Sequence, residues 1–165
     1  MLNMYITSGT FDYLSKIAKN YPDEKMVKMV NEDGALLLHE TNGDTVFKEP
    51  RKYLVLDSAG MISETGFAAI INIPVTEEGR PFFEYQFKNK MALIEAQSGF
   101  ATIRILQPLS SQTYLVLTVW DTSEAFQSWK SSSSYKAILT LANDTESTEK
   151  IFSSMPYVKT YSIDE

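Results

Sequence analysis

Cysteine is absent from the 165 residues, so no disulfide, thiolate nucleophile or cysteine-bound metal can form. That suits a reducing compartment. The first residues also lack the basic-then-apolar order of a secretion signal, and the cytoplasm is the expected location. Histidine occurs once, at His39, which leaves the usual zinc sites and the serine-histidine-acid triad short of partners. The seven glycines never stand closer than six residues apart, which excludes a dinucleotide fingerprint or a phosphate-cradling loop. The longest unbroken apolar run, Phe67 to Ile71, falls far below the roughly 18 residues of a membrane span. Positive charge is also scarce. Lys and Arg total 15 against 21 Asp and Glu, a net charge of −6, shared equally by residues 1–65 and 66–165. Nucleic acids and anionic membranes select positive fields, so neither is an expected partner.

What is present reads as one folded domain of ordinary size or two small ones that share a core, with 44% apolar and 22% charged residues. Met4 to Thr7 is a short β-prone run. Thr10 is placed to cap a helix whose apolar positions are Phe11, Leu14, Ile17 and Ala18, and Tyr21-Pro22-Asp23 ends it. Met26 to Val30 and Ala35 to Glu40 are strand-like. Thr41-Asn42-Gly43-Asp44 carries a hairpin signal leading to a strand at Thr45-Val46-Phe47. A strand at Tyr53 to Leu56 follows, and the turn-rich stretch from Ser58 to Gly66 is the expected boundary between two halves, 1–65 and 66–165.

The second half is more strongly patterned. Phe67 to Ile73 is a nearly continuous apolar strand broken by Asn72. Thr76 is placed to cap a helix starting at Glu77-Glu78, on which Phe83, Phe87, Met91 and Ile94 form one apolar face ending near Ser98-Gly99. Ala101 to Leu106 and Thr113 to Trp120 predict an antiparallel pair, and Ser123 is placed to cap a helix carrying Ala125, Phe126 and Trp129. The run Ser131 to Ser134 breaks that helix or lets a final turn start at Tyr135. Asn143 to Lys150 reads as a polar loop and Tyr157 to Ile163 as the last strand. The order β-α-β-β-α-β is ferredoxin-like, and the α+β N-terminal half, which begins strand-helix-strand-strand, predicts an internal pseudo-dimer. With that half covering the second sheet face, a monomer is expected.

Few residues point to chemistry by type alone. His39 reads as a solvated or cross-strand histidine, since an isolated imidazole needs a pocket and a partner to act. Glu77-Glu78 complements the positive end of a helix. Asn72 is the exception, because an amide inside a buried strand must find a hydrogen-bond partner. That partner is either a nearby backbone group or a ligand, just as Trp129 either fills the core or faces one.

The stretch Gly66-Phe67-Ala68-Ala69-Ile70-Ile71-Asn72-Ile73 and the segment Thr118-Val119-Trp120-Asp121 through Ala125-Phe126-Gln127-Ser128-Trp129 resemble the antibiotic-biosynthesis-monooxygenase (ABM) superfamily, specifically its IsdG-type haem-degrading members. His39-Glu40-Thr41-Asn42-Gly43-Asp44-Thr45-Val46-Phe47 and Gly79-Arg80-Pro81 resemble a subgroup with an extra N-terminal domain. That subgroup shares its layout with the family called target of RNAIII-activating protein. The resemblance implies haem as both cofactor and substrate, an outside reductant, and opening of the porphyrin with release of iron. It places Asn72 against the haem and Trp129 on the macrocycle. It puts Leu139 where the family's iron-ligating histidine stands, and leucine has no lone pair for a metal. For such a disc the expected walls are Phe87 and Met91 with Trp129 and Leu139 opposite, the expected propionate partners are Arg104 or Lys136, and Tyr135 either packs against the ring or offers an oxygen ligand. The competing expectation is a non-catalytic regulatory or stress-response protein whose pocket is vestigial.

Overall fold

The computed structural model describes residues 2–62, 64–139 and 152–163. Its elements run β1 (Asn3–Gly9), α1 (Phe11–Asn20), β2 (Met26–Asn31), β3 (Gly34–Thr41), β4 (Arg51–Ala59), β5 (Gly66–Pro74), α2 (Arg80–Glu95), β6 (Phe100–Pro108), β7 (Thr113–Trp120), α3 (Ser123–Lys130), α4 (Ser133–Leu139) and β8 (Tyr157–Ile163). The expected polar loop at Asn143 to Lys150 lies outside the described residues, and so does the side chain of Leu139.

All eight strands pair antiparallel in one closed barrel, in the order β1-β3-β2-β8-β5-β7-β6-β4. The second half contributes β8-β5-β7-β6, the ferredoxin-like order, and the first half contributes β4-β1-β3-β2 in the same relative order. Two seams join the halves, β2 to β8 and β4 to β6. Closure removes the free edges that an open sheet would expose.

Because strand side chains alternate between faces, the barrel has a lumen and an outside. Met4, Ile6, Met29, Leu38, Ala68, Ile70, Leu106, Leu117 and Val119 fill the lumen. Outside, Ala69, Ile71, Ile73, Ile103, Ile105 and Val116 pack under the helices of the second half, which bring Phe83, Phe87, Met91 and Ile94 from α2 and Phe126 and Trp129 from α3. A smaller cluster, Leu14, Ala35, Leu37 and Phe47, lies under α1.

Three local readings are corrected. The tight hairpin joins β2 to β3, where Gly34 takes a φ of 144°, a conformation glycine adopts without penalty. The chain after Thr41 instead loops to β4, because Thr45 Oγ1 bonds the His39 ring and accepts from Phe47 N–H. Helix α2 starts at Arg80 and not Glu77. The Thr76 hydroxyl accepts from Gly79 N–H and so closes a turn before the helix, and Pro81 sits in its first turn, where its missing N–H costs nothing. Thr122 caps α3 in place of Ser123, its hydroxyl accepting from Ala125 N–H.

Candidate functional site

The residues expected to cradle a haem divide between the two faces of the barrel wall. On the outer face, under the helices, lie Phe87, Met91, Trp129 and Tyr135. Trp129 is fully buried and stacks on Trp120 at 5.2 Å between ring centroids, while Tyr135 meets it edge-on at 4.9 Å. Such contacts are favourable beyond the area they bury. Both indole N–H groups are satisfied internally. Trp129 Nε1 donates to Ser134 Oγ at 2.9 Å, and Ser134 Oγ lies 3.0 Å from Ser132 Oγ. Trp120 Nε1 donates to Thr118 Oγ1, which donates to the Ala69 carbonyl. The serine run that breaks the helix in the sequence therefore also fixes the indole.

Asn72 faces the other way. On β5 the side chains of Phe67, Ala69, Ile71 and Ile73 turn toward the helices, whereas Ala68, Ile70 and Asn72 turn toward the lumen. The amide and the indole of Trp129 stand on opposite sides of the sheet, and the neighbour sharing the indole's face is Ile71, which offers no hydrogen bond. A pleat admits no intermediate choice, since a one-residue shift exchanges the faces. The Asn72 Nδ2 donates to the Ile70 carbonyl at 3.2 Å, a bond within its own strand.

Arg104 is likewise in the lumen. Its Nε donates to Glu40 Oε2 at 2.6 Å, and its Nη1 donates to the carbonyls of Ala59, Gly60 and Ile103 at 3.2, 2.8 and 3.0 Å. Lys25 approaches the other oxygen of Glu40 at 3.3 Å. A guanidinium with all these partners is not free to receive a propionate. Lys136 is exposed on α4. Burial pushes the Tyr135 phenol up from its ordinary pKa, which holds it protonated and makes it a poor oxygen ligand for iron. The side chains present therefore do not fit haem as the sequence arranges them. The indole and phenol fill the space beside α2, the amide lies across the sheet, and the cation is engaged. Among the described residues no group of three or more His, Cys, Asp or Glu is placed to hold a metal ion.

Two further polar groups stand out. His39 is fully buried on the outer face of β3 beneath the loop leading to β4. Its Nδ1 lies 3.0 Å from Thr45 Oγ1 and its Nε2 2.7 Å from Glu24 Oε1, with the Phe47 ring edge-on at 5.6 Å. The ring is thus a satisfied tether for the loop between β3 and β4, and of the two expectations, solvated or cross-strand, the buried ring opposite Tyr5 and Met26 fits the second. Near α2, the Tyr114 hydroxyl donates to Glu84, which also accepts from Gln107. Burial first, and then that carboxylate, push the phenol far above its usual pKa. Sequence reasoning missed Glu40 and Glu84, whose partners are distant in the chain, and the bond of Ser134 to Trp129 five residues before it. Only the alternation of His39 and Glu40 along β3 signalled that one of them turns inward.

Residues 66–141 match the model of the antibiotic biosynthesis monooxygenase domain. Signal transduction protein TRAP of Staphylococcus aureus (strain MSSA476) is 30% identical over 139 residues, covering 82% of this chain and 81% of that protein. A protein named Heme-degrading monooxygenase, from Listeria monocytogenes, is 27% identical over 149 residues and 89% of each chain. The fold superposes with a TM-score of 0.85 on a solved structure described as a major regulator of staphylococcal pathogenesis, at 24% identity over 96% of this chain and 97% of that one. The chain belongs to the family of the TRAP relatives and carries an antibiotic biosynthesis monooxygenase domain over residues 66–141.

Proposed function

We propose that this chain is a non-oxygenating member of its family, a regulatory or stress-response protein in which the space beside α2 is a structural core. One observation carries the reading: the face of β5 that meets Trp129 presents Ile71, and the indole there is stacked, edge-packed and hydrogen-bonded by the protein's own Trp120, Tyr135 and Ser134. A disc entering this space would displace those contacts. Burying a flat macrocycle yields about 25 cal/mol per Å² of apolar area, but area the protein already buries for itself supplies no such gain. The two four-strand sets with matching order support an internal pseudo-dimer of units 1–65 and 66–165 that is monomeric in solution. The name of the TRAP relatives supports a signalling role.

The competing reading, haem-ring opening with an external electron donor and release of iron, is favoured by the relative named Heme-degrading monooxygenase. Phe87, Met91 and Trp129 would then have to part to form the walls, with Leu139 in place of a ligand and Lys136 at the rim. Haemin titration followed by ascorbate separates the two. The expected outcome is no saturable Soret shift and no loss of the Soret band beyond that of free haemin. A stoichiometric complex whose Soret band decays with release of chelatable iron would overturn the proposal.

A further inference from the structure

One end of the barrel lumen opens into a chamber of about 230 Å³, and four other recesses among the described residues, unlike it, carry acids beside their cations. The floor is apolar, made by Ile70, Leu115 and Ile6, and above it stand Asn72, Arg51 and Lys159. The side chains of Tyr157 and Tyr161 stand in the wall, with Ser8 and Leu36. The registers bring them together, since Asn72 lies opposite Leu115 on one side and Tyr157 on the other, Ile70 opposite Lys159, and Ile6 opposite Arg51. Every charged residue of the lining is a cation. The nearby acids stand in flanking recesses that share these cations, Asp33 beside Lys159 and Tyr161 and Glu49 beside Arg51, and neither acid lines this chamber. Among the described residues neither Arg51 nor Lys159 forms an ion pair. Two cations at one mouth with no ion pair among the described residues are uncommon in a chain of net charge −6.

We propose that this chamber binds a small organic carboxylate with an apolar body. The guanidinium of Arg51 offers a planar pair of donors that suits a carboxylate, and Lys159 adds a second charge from the facing strand. Asn72, which is 8% exposed, commits only one amide hydrogen to Ile70 and supplies polar capacity where the apolar floor begins. The floor of Ile70 and Leu115 covers an alkyl or aryl group, so the body adds affinity that a bare ion lacks. A water occupies about 30 Å³ of liquid, and a chamber of 230 Å³ therefore admits a ligand of several heavy atoms but no macrocycle. The site lies across the sheet from Trp129 and does not depend on whether haem binds there.

The test is titration of the full chain with hexanoate and benzoate, followed by amide chemical shifts and calorimetry, with hexanol and inorganic phosphate as controls. The expected result is saturable binding at about 1 mM or tighter, with shifts concentrated at Asn72, Leu115 and Tyr157. Arg51→Gln and Lys159→Gln each weaken binding about fivefold, and together by more than about tenfold, with unchanged thermal midpoints because both side chains are exposed. Hexanol binds at least about tenfold more weakly than hexanoate, and added salt weakens hexanoate. Asn72→Leu, if it folds, also weakens the carboxylate. No saturable shift up to about 10 mM hexanoate or benzoate, or equal affinity in the doubly substituted chain, would overturn the proposal. Phosphate binding as tightly as hexanoate would overturn the apolar-body requirement.

Discussion

The two ends of the barrel lumen solve the same problem in opposite ways. Each must place polar side chains beside a packed aliphatic interior. At one end Arg104 and Glu40, both about 5% exposed in their side chains, hold each other at 2.6 Å while three backbone carbonyls take further guanidinium hydrogens. At the other end Arg51 and Lys159 reach the mouth from facing strands, and Asn72 keeps a single bond to its own strand. The first end is closed by internal pairing, as buried charge demands. The second is held open to water, so its cations escape the desolvation penalty, with the Tyr53 phenol as a hydrogen-bonding neighbour of Arg51.

Breaking the closed end gives the largest expected effect. Arg104→Met strands the Glu40 carboxylate in the lumen, with only the half-exposed Lys25 beside it, and costs about 3–5 kcal/mol of stability. Adding Glu40→Leu to that variant recovers much of the loss, because removing both charges also removes their desolvation. At the open end Asn72→Leu changes stability by less than about 1 kcal/mol, since one strand-local hydrogen bond is exchanged for apolar contact. Urea unfolding of the four proteins checks this. A cost below about 1 kcal/mol for Arg104→Met would show that the two ends do not differ as described.

A smaller effect is expected on the outer face, where the Trp129 indole depends on Ser134. Ser134→Ala leaves a buried N–H without its acceptor and costs about 1–3 kcal/mol, with a change in near-ultraviolet dichroism as the stack on Trp120 loosens. Ser134→Thr retains an acceptor and restores part of the loss. If Ser134→Ala is neutral while haemin affinity rises, the indole is a gate and not a fixed core residue, and the non-oxygenating reading weakens.

The contrast between regions also explains what the sequence could tell. Helix α2 was legible because Phe83, Phe87, Met91 and Ile94 repeat at helical spacing and all four are buried. Strand β5 was legible as a strand but not by face. From Ala68 to Pro74 every side chain is buried, on the lumen side or under the helices, so the alternation that would assign Asn72 to a face is erased. The Asn42-Gly43 signal was outweighed by the tether between His39 and Thr45, while the turn fell at Gly34. Barrel closure depends on the β2 to β8 and β4 to β6 seams, and the Glu40 to Arg104 pair spans 64 residues. Long-range pairings of this kind leave no local periodicity to read.

The smallest effect separates the two regions by their phenols. Burial is the first cause of the raised pKa of both Tyr114, on the outer face, and Tyr161, in the lumen. The second influence differs. Glu84 raises Tyr114 further, whereas Arg51 pulls Tyr161 back down. A phenol whose folded pKa lies above its unfolded value of 10 contributes its full stability below pH 10. As the pH rises past 10 the unfolded chain loses the proton first, and stability falls until the folded phenol also ionises. Alkaline unfolding should therefore begin above pH 10, and Tyr114→Phe should flatten the decline more than Tyr161→Phe. Arg51→Gln should steepen it, because the cation that favours Tyr161 ionisation in the folded state is gone. Stability measured by urea unfolding from pH 9 to 11.5 tests the order. Equal slopes for Tyr161→Phe and Tyr114→Phe would show that Glu84 and Arg51 do not set the two phenols apart.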